Sequence, residues 1–440
     1  MPQLTLNEWL SLLEARHPTE IELGLDRIGR VASQLGFFVS AQISSITTED
    51  PKQREELAAG RITPANKIIT IAGTNGKGSC VAAIEQMVLA AGLRVGCYTS
   101  PHFIHYNERI SINGHPVDDR AICTAFEQIE AARGNISLTY FEFGTLAALL
   151  VMSQEDLDVA LLEVGLGGRL DAVNILDPDI AIVTSIAKDH EDWLGCDLNG
   201  IAAEKAAIAR PDRPLIYGDI DAVPGVIETA GKIGSRLLIN GRDFCLSDFG
   251  DIPETQLPPV SVACALQAVK LLNDVPLSTM INGLQNVALP GRFQQVEVAG
   301  VQLVLDVAHN PQAAALLADR LLATKCRIVA VVGIMADKDI PAILLPLIPL
   351  VSAWYCCDIP EQSRAATARN LAALLYNASP SSKVGNETDI AEMASPVNGL
   401  KAALTNVNTG DIIVVFGSFF TVGPVLQWLK DKGNGSVSGE

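Results

Sequence analysis

The chain has 440 residues, of which 48% are hydrophobic and 19% charged, a balance that excludes disorder as the main state and allows two or three domains. Fifty acidic residues against 32 basic leave a formal charge of -18, a field that repels phosphate backbones and sets nucleic acid aside as a primary partner. The nine cysteines form no C-x-x-C pair, which fits a reducing compartment, and a chain this long folds without a disulfide or metal staple. The start, MPQLTLNEWLSLLEAR, has no apolar signal core, and a cytoplasmic location is expected. The long uncharged run Ile340 to Cys357 is broken by prolines and predicts a short buried helix entering a strand, with no membrane span.

In chain order, Leu10, Leu13 and the stretch from Ile21 to Val31 predict helix, interrupted near Pro18. Residues 44–67 are polar with two prolines and predict a loop. From Lys67 the pattern changes. KIITIAG (67–73) is a short apolar run ending in Gly, followed by GKGS and the helical stretch CVAAIEQMVLAAG. RVGCYTS (94–100), DVALLEVG (158–165) and DIAIVTSIA (179–187) are further strands of this kind, and their alternation with helices predicts a parallel sheet covered on both faces. After Gly291 a second series begins: VQLVLDVA (301–308), CRIVAVVGI (326–334), SAWYCCDI (352–359) and DIIVVFGSF (411–419). The expected organisation is a larger N-terminal unit over 1–290, a hinge at 291–295 in LPGRFQQV, a smaller unit over 296–432 and a disordered tail, GNGSVSGE, over 433–440.

The strongest chemical signal is Gly73-Thr74-Asn75-Gly76-Lys77-Gly78-Ser79, placed between a strand and a helix. Glycines there let backbone N–H groups approach phosphate oxygens, and Lys77 can neutralise terminal phosphates. The match to G-x-x-x-x-G-K-[ST] is imperfect, because the first Gly position falls on Ile71 and Gly78 separates Lys77 from Ser79. Ser100 ends a strand and reads as a turn residue or a group reaching metal or substrate. Glu163 closes an apolar run, where a carboxylate must be paired, with Arg169 for example, or bound to metal. Asp189 and His190 close another; His190 reads as readily as a group behind the metal as a ligand, since magnesium prefers oxygen. Lys205, in IAAEKAAIA, is either a snorkelling side chain or a partly buried, reactive amine. Asp306 and His309 end the first strand of the second series, and Arg292 precedes it in the hinge. No serine lies in a G-x-S-x-G elbow, which disfavours a hydrolytic triad.

Together the stretches ITIAGTNGKGS, YTSPHF with NERI, LTYFEFGTLAAL, LEVGLGGRLDAVN, TSIAKDHEDWLG, EKAAI, LPGRFQ and LDVAHNP resemble the folylpolyglutamate synthase family of the Mur ligase superfamily, in particular its bifunctional bacterial branch. The resemblance implies an α/β fold of two domains: an N-terminal P-loop ATPase-like, mostly parallel sheet with flanking helices, and a smaller Rossmann-like C-terminal domain. It implies ATP held by Asn75, Gly76, Lys77, Gly78 and Ser79, with Ser261, Arg292 and Asp306 also contacting nucleotide and His309 close by. Ser100, Glu163 and His190 would hold one or two Mg2+ ions, supported by Lys205 once carbamylated. Thr139, Tyr140, Phe141, Glu142, Leu170, Asp171 and Ala172 would form the dihydropteroate pocket. Lys77, His190, Lys205 and His309 are the catalytic candidates. The chain departs from the family at Ser261, where Asn is common, and at Ala207 in EKAAI, where Gly is usual.

The activity this implies is ATP-dependent coupling of L-glutamate to 7,8-dihydropteroate and then to reduced folates, through an acyl phosphate. The expected partners are these small molecules, with no nucleic acid or membrane, and a monomeric state. Three other readings are a monofunctional folylpolyglutamate synthase, a Mur-type peptidoglycan ligase and a non-catalytic nucleotide switch. The short helical start leaves little room for the extra N-terminal domain a Mur ligase carries, and a switch leaves the carboxylate and histidine after successive strands unexplained.

Overall fold

The computed structural model describes residues 4–17, 22–37, 39–40, 62–272, 275–285, 287–378 and 389–435. The chain divides into two compact units, Met1–His102 with Tyr106–Val287, and Phe103–His105 with Ala288–Glu440.

The first unit opens with α1 (Leu6–Arg16) and α2 (Asp26–Gln34). Thr5 and Glu8 form a capping box at the start of α1, and Trp9 and Leu13 bury its inner face. Pro18 and Ile21 lie outside the described residues, as do residues 44–61 of the expected polar loop. Then come β1 (Lys67–Ala72), α3 (Lys77–Ala90), β2 (Val95–Tyr98), β3 (Ile110–Ile112), β4 (His115–Pro116), α4 (Asp119–Arg133), α5 (Tyr140–Ser153), β5 (Val159–Glu163) and β6 (Ile180–Val183). The unit ends with α6 (Glu191–Leu194), α7 (Leu198–Ala206), β7 (Pro214–Tyr217), α8 (Pro224–Ile233), β8 (Arg236–Ile239), α9 (Pro259–Leu272) and α10 (Leu277–Leu284).

Its eight strands run in the order β4-β3-β2-β5-β1-β6-β7-β8. All neighbours are parallel except β3, which runs antiparallel to β2 and to β4. The centre, β5-β1-β6, is almost wholly buried, which is why these strands read as continuous apolar runs. A parallel sheet of this kind presents its ligand-binding edge at the C-terminal ends of its strands. Gly73, Glu163 and Thr184 all sit there.

The second unit contains β9 (Gln294–Val298), β10 (Val301–Asp306), α11 (Pro311–Thr324), β11 (Ile328–Val332), α12 (Ile340–Leu344), β12 (Val351–Cys357), α13 (Ala368–Ala378), β13 (Asp389–Met393), α14 (Pro396–Thr405), β14 (Ile412–Phe416) and α15 (Phe419–Gly435). Its sheet order is β13-β12-β11-β14-β10-β9, parallel except for the β9–β10 hairpin. Ala299 and Gly300 both take positive φ in that two-residue turn, as the twist of a tight hairpin requires. One face of the sheet packs Leu317, Leu321, Trp354 and Leu371, and the other packs Leu400, Val422 and Val425. The apolar run from Ile340 is a short helix leading into β12. Helix α15 continues to Gly435, so the first three residues of the expected tail are helical, and 436–440 lie outside the described residues.

Candidate active site

Between β1 and α3 the glycine loop is stitched to the segment after β6. Thr74 N donates to Ser185 O at 2.8 Å, Asn75 N to Ser185 Oγ at 3.0 Å, and Thr184 Oγ1 to Asn75 O at 2.6 Å. Gly73 permits this approach, since a Cβ there would lie 2.0 Å from Thr184 Oγ1. Gly76 caps α3 with φ +82, and its carbonyl accepts from Ser261 Oγ at 3.1 Å. The loop is thereby held before any ligand arrives. Ser79, in the first turn of α3, is fully buried, and its Oγ has no partner among the described residues. A buried hydroxyl left unmatched at a helix N-terminus is suited to a phosphate oxygen or to the oxygen shell of a cation.

Lys77 Nζ donates to Gly73 O at 3.0 Å, and Lys205 Nζ, from the last turn of α7, donates to the same oxygen at 3.2 Å. Lys205 is 6% exposed, so its ammonium does not snorkel to solvent. Burial, reinforced by the charge of Lys77, brings its pKa down from 10.5 to about 7, opposed by Asp189, Asp171 and Glu204. An amine with such a pKa is substantially unprotonated near neutrality and is a nucleophile there.

Glu163, at the end of β5, accepts from Ser100 N at 3.2 Å, which joins two of the three expected metal ligands. Arg169 pairs with Glu204 at 2.9 Å. His190 opens α6 in a left-handed conformation (φ 52), with its side chain 45% exposed and beside Asp189. Among the described residues no three His, Cys, Asp or Glu side chains gather as a ready metal site. Ser100 and Glu163 nevertheless offer hard oxygen donors of the kind magnesium takes.

The expected pocket residues fall into two groups. Thr139 and Glu142 face each other as the capping box of α5: Thr139 N donates to Glu142 Oε2 at 2.7 Å and Glu142 N to Thr139 Oγ1 at 3.2 Å. Burial raises the Glu142 carboxyl, and Arg27 of α2 reaches it at 3.3 Å. Tyr140 and Phe141 instead join an aromatic group. The Tyr106 and Tyr140 rings meet edge to face at 5.7 Å, and Tyr98 lies 5.9 Å from Phe141. Arg109 stacks over Tyr106 and Tyr140 and donates from Nε to His102 Nδ1 at 2.9 Å. Asp171 accepts N–H groups from Gly165, Leu166 and Val173 at 2.9–3.0 Å, and burial raises its carboxyl to about 6. Leu170 and Ala172 flank it in the same loop. Arg27 and Arg109 were not singled out from sequence; NERI contains Arg109, but only the fold brings the tyrosines to it.

In the second unit, Asp306 ends β10 and accepts from Phe293 N and Ala308 N, both at 2.8 Å. Burial raises its carboxyl, opposed by Arg292 and Arg320. Arg292 stacks over Phe419 at 5.1 Å, and Phe419 packs on Phe103 at 4.8 Å. His309 Nδ1 lies 2.8 Å from Val307 O, so in the neutral ring the hydrogen sits on Nδ1.

Comparison with known proteins assigns both units. The family described as Mur ligase middle domain matches residues 71–218, and that described as Mur ligase, glutamate ligase domain matches 291–419. The dihydrofolate synthase/folylpolyglutamate synthase of Escherichia coli (strain K12) is 38% identical, over 98% of this chain and 97% of the relative. A solved structure of E. coli FolC in complex with DHPP and ADP superposes with a TM-score of 0.86 at 37% identity, covering 98% of this chain and 100% of that one. A solved structure of a bifunctional folylpolyglutamate synthase/dihydrofolate synthase with Mn, AMPPNP and L-glutamate bound is also similar, with a TM-score of 0.83 at 39% identity, covering 97% of this chain and 98% of that one. The chain belongs to the dihydrofolate synthase/folylpolyglutamate synthase family, within the Mur ligase fold.

Proposed function

We propose that this chain is an ADP-forming amide ligase that joins L-glutamate to 7,8-dihydropteroate, giving dihydrofolate, and adds further glutamates to reduced folates. The observation that carries the reading is the convergence of Lys77 and Lys205 on Gly73 O beside an unmatched Ser79, in a chain aligned end to end with relatives of that name. The ligands named for the related structures, DHPP with ADP and L-glutamate with AMPPNP and Mn, support the same substrates here. We place the enzyme in the cytoplasm as a monomer, as the family resemblance implies. No helix among the described residues is long and apolar enough to cross a membrane.

The acceptor carboxylate attacks the γ-phosphorus of ATP, and the bond to the bridging oxygen breaks to release ADP. The resulting acyl phosphate is attacked at its carbonyl carbon by the amine of L-glutamate. The amine loses a proton, and the tetrahedral intermediate expels phosphate. Carboxylate itself is a poor electrophile; phosphorylation supplies the leaving group. Asn75 to Ser79 hold the phosphates by backbone N–H and the Ser79 hydroxyl, and Lys77 leaves Gly73 O to neutralise the terminal group. Ser100, Glu163 and His190 would hold magnesium, which when bound offsets charge on the transferring phosphoryl group. The Lys205 amine, unprotonated in part, attacks the carbon of carbon dioxide and releases one proton to solvent as the carbamate forms, which would add an oxygen donor to that set. Tyr140, Phe141 and the loop Leu170–Ala172 receive the acceptor, with Thr139 and Glu142 shaping α5 behind them. Ser261 supports the glycine loop, and Arg292, Asp306 and His309 are the nucleotide-contacting candidates of the second unit. Positioning and electrostatics are the protein's share.

The test is ATP-dependent incorporation of labelled L-glutamate, run separately with 7,8-dihydropteroate and with tetrahydrofolate. Product from both acceptors is expected. Product from the second alone would make the chain monofunctional, and product from neither would overturn the reading.

A further inference from the structure

Arg210 follows α7 on the stretch that leaves it, and it is 4% exposed. Its guanidinium is fully engaged. Nε pairs with Asp177, and Nη1 donates to Ile208 O at 3.0 Å and Ala209 O at 3.1 Å. Nη2 donates to Asn174 O at 3.1 Å, Asn174 Oδ1 at 3.0 Å and Leu176 O at 3.0 Å. One planar cation therefore ties the exit of the Lys205 helix to the end of the loop that carries Leu170, Asp171 and Ala172.

The same loop is fastened to the helix at its other end. Arg169 N donates to Glu204 O at 2.9 Å, and the Arg169 guanidinium pairs with the Glu204 carboxylate at 2.9 Å. Gly168 lies so close that a Cβ would meet Glu204 O at 2.7 Å and Lys205 Cα at 3.0 Å. Asn174 links the two fastenings by donating from Nδ2 to Arg169 O at 2.9 Å. Between them Asp171 closes the loop on itself through three backbone N–H groups. The phosphate loop has ties of its own to Thr184, Ser185, Ala187 and Ser261, and meets the Lys205 helix through the Lys205 Nζ bond to Gly73 O.

We propose that Arg210 is a positioning residue that makes the acceptor loop and the Lys205 helix one rigid piece, so that acceptor binding and formation of the Lys205 carbamate are coupled through it. The proposal rests on the assignment of Leu170–Ala172 to the acceptor and of Lys205 to the carbamate. A lysine cannot replace this group, because three ammonium hydrogens on one point cannot meet acceptors spread around a planar fork.

Arg210→Lys in the full chain tests it, with Asn174→Ala and Asp177→Asn as milder variants that keep the arginine should Arg210→Lys fail to fold. Thermal melting establishes folding. The readouts are KM for 7,8-dihydropteroate, KM for MgATP, kcat, and the 13C NMR carbamate signal under labelled bicarbonate. The expected result is a dihydropteroate KM raised about tenfold or more, a weakened carbamate signal, and a KM for MgATP within about twofold of wild type. An unchanged dihydropteroate KM with an undiminished carbamate signal overturns the proposal, as does an equal loss for both substrates, the mark of general destabilisation. A wild-type enzyme lacking any carbamate signal, with Lys205→Met fully active, instead rejects the carbamate assignment; the dihydropteroate arm then still decides whether Arg210 positions the loop.

Discussion

Lys77 and Lys205 direct their ammonium groups at one backbone oxygen, that of Gly73, from 3.0 and 3.2 Å. Burial, with the charge of Lys77 added to it, lowers the Lys205 pKa, while Asp189, Asp171 and Glu204 oppose the fall.

This sets a pH dependence. The folded pKa of Lys205, about 7, lies below its ordinary 10.5, so the folded protein binds fewer protons between those values. The destabilisation is fully present below pH 7, shrinks as pH rises and is gone above 10.5, with a magnitude on the order of a few kcal/mol. In carbon dioxide-free buffer without nucleotide, Lys205→Met is therefore expected to melt higher than wild type at pH 7 and to converge with it toward pH 10.5. Parallel melting curves across the range would refute this. In activity assays the same variant is inactive, and Lys205→Ala is rescued in part by a small added carboxylate.

Ser261 donates to Gly76 O, while a Cβ on Gly76 would meet Ser261 Oγ at 2.4 Å. Ser261→Ala removes one hydrogen bond, about 1 kcal/mol, and should weaken MgATP binding severalfold with the fold intact. Gly76→Ala meets both the contact and a φ of +82, a strain of about 1–3 kcal/mol, and should abolish measurable binding. Calorimetric titration with a non-hydrolysable magnesium nucleotide distinguishes them; equal affinities in both variants would contradict the geometry.

Thr139 serves α5 before it serves any ligand. Thr139→Ala removes an N-cap worth about 1 kcal/mol, and Thr139→Ser should restore it. Thermal denaturation is expected to show that pattern, whereas Phe141→Ala should raise the acceptor KM more than Thr139→Ala does. A Thr139→Ala enzyme of unaltered melting temperature would remove the helix-capping account.

Asp306 holds two backbone N–H groups and faces Arg292. Asp306→Ala leaves these groups unmatched in a buried place and should cost about 3–5 kcal/mol, read by urea denaturation of the full chain. Asp306→Asn retains one acceptor oxygen and is expected to lose less than half of that.

The central strands of both sheets were legible because they are buried on both faces and read as unbroken apolar runs. Strands β3 and β4 were not, being two or three residues long, nor were β7 and β8; β9 and β13 are edge strands with mixed burial. The glycine loop was legible because its chemistry is local: seven consecutive residues carry it. Arg210 was invisible for the opposite reason, since its partners beyond its own turn are Asn174, Leu176 and Asp177, more than thirty residues earlier. The capping box formed by Thr139 and Glu142 was not read from the sequence, because those residues were weighed there only as pocket residues. Assignment of Phe103–His105 to the second unit had no local signature at all.

In the second sheet β14 lies between β10 and β11, although it is the last of the described strands to be made. A nascent chain therefore carries two half-sheets with bare hydrogen-bonding edges until residues 412–416 leave the ribosome. A premature stop before Ile412 removes the middle of that sheet, and a truncated product exposes paired apolar edges that invite aggregation and degradation in place of a partly working enzyme.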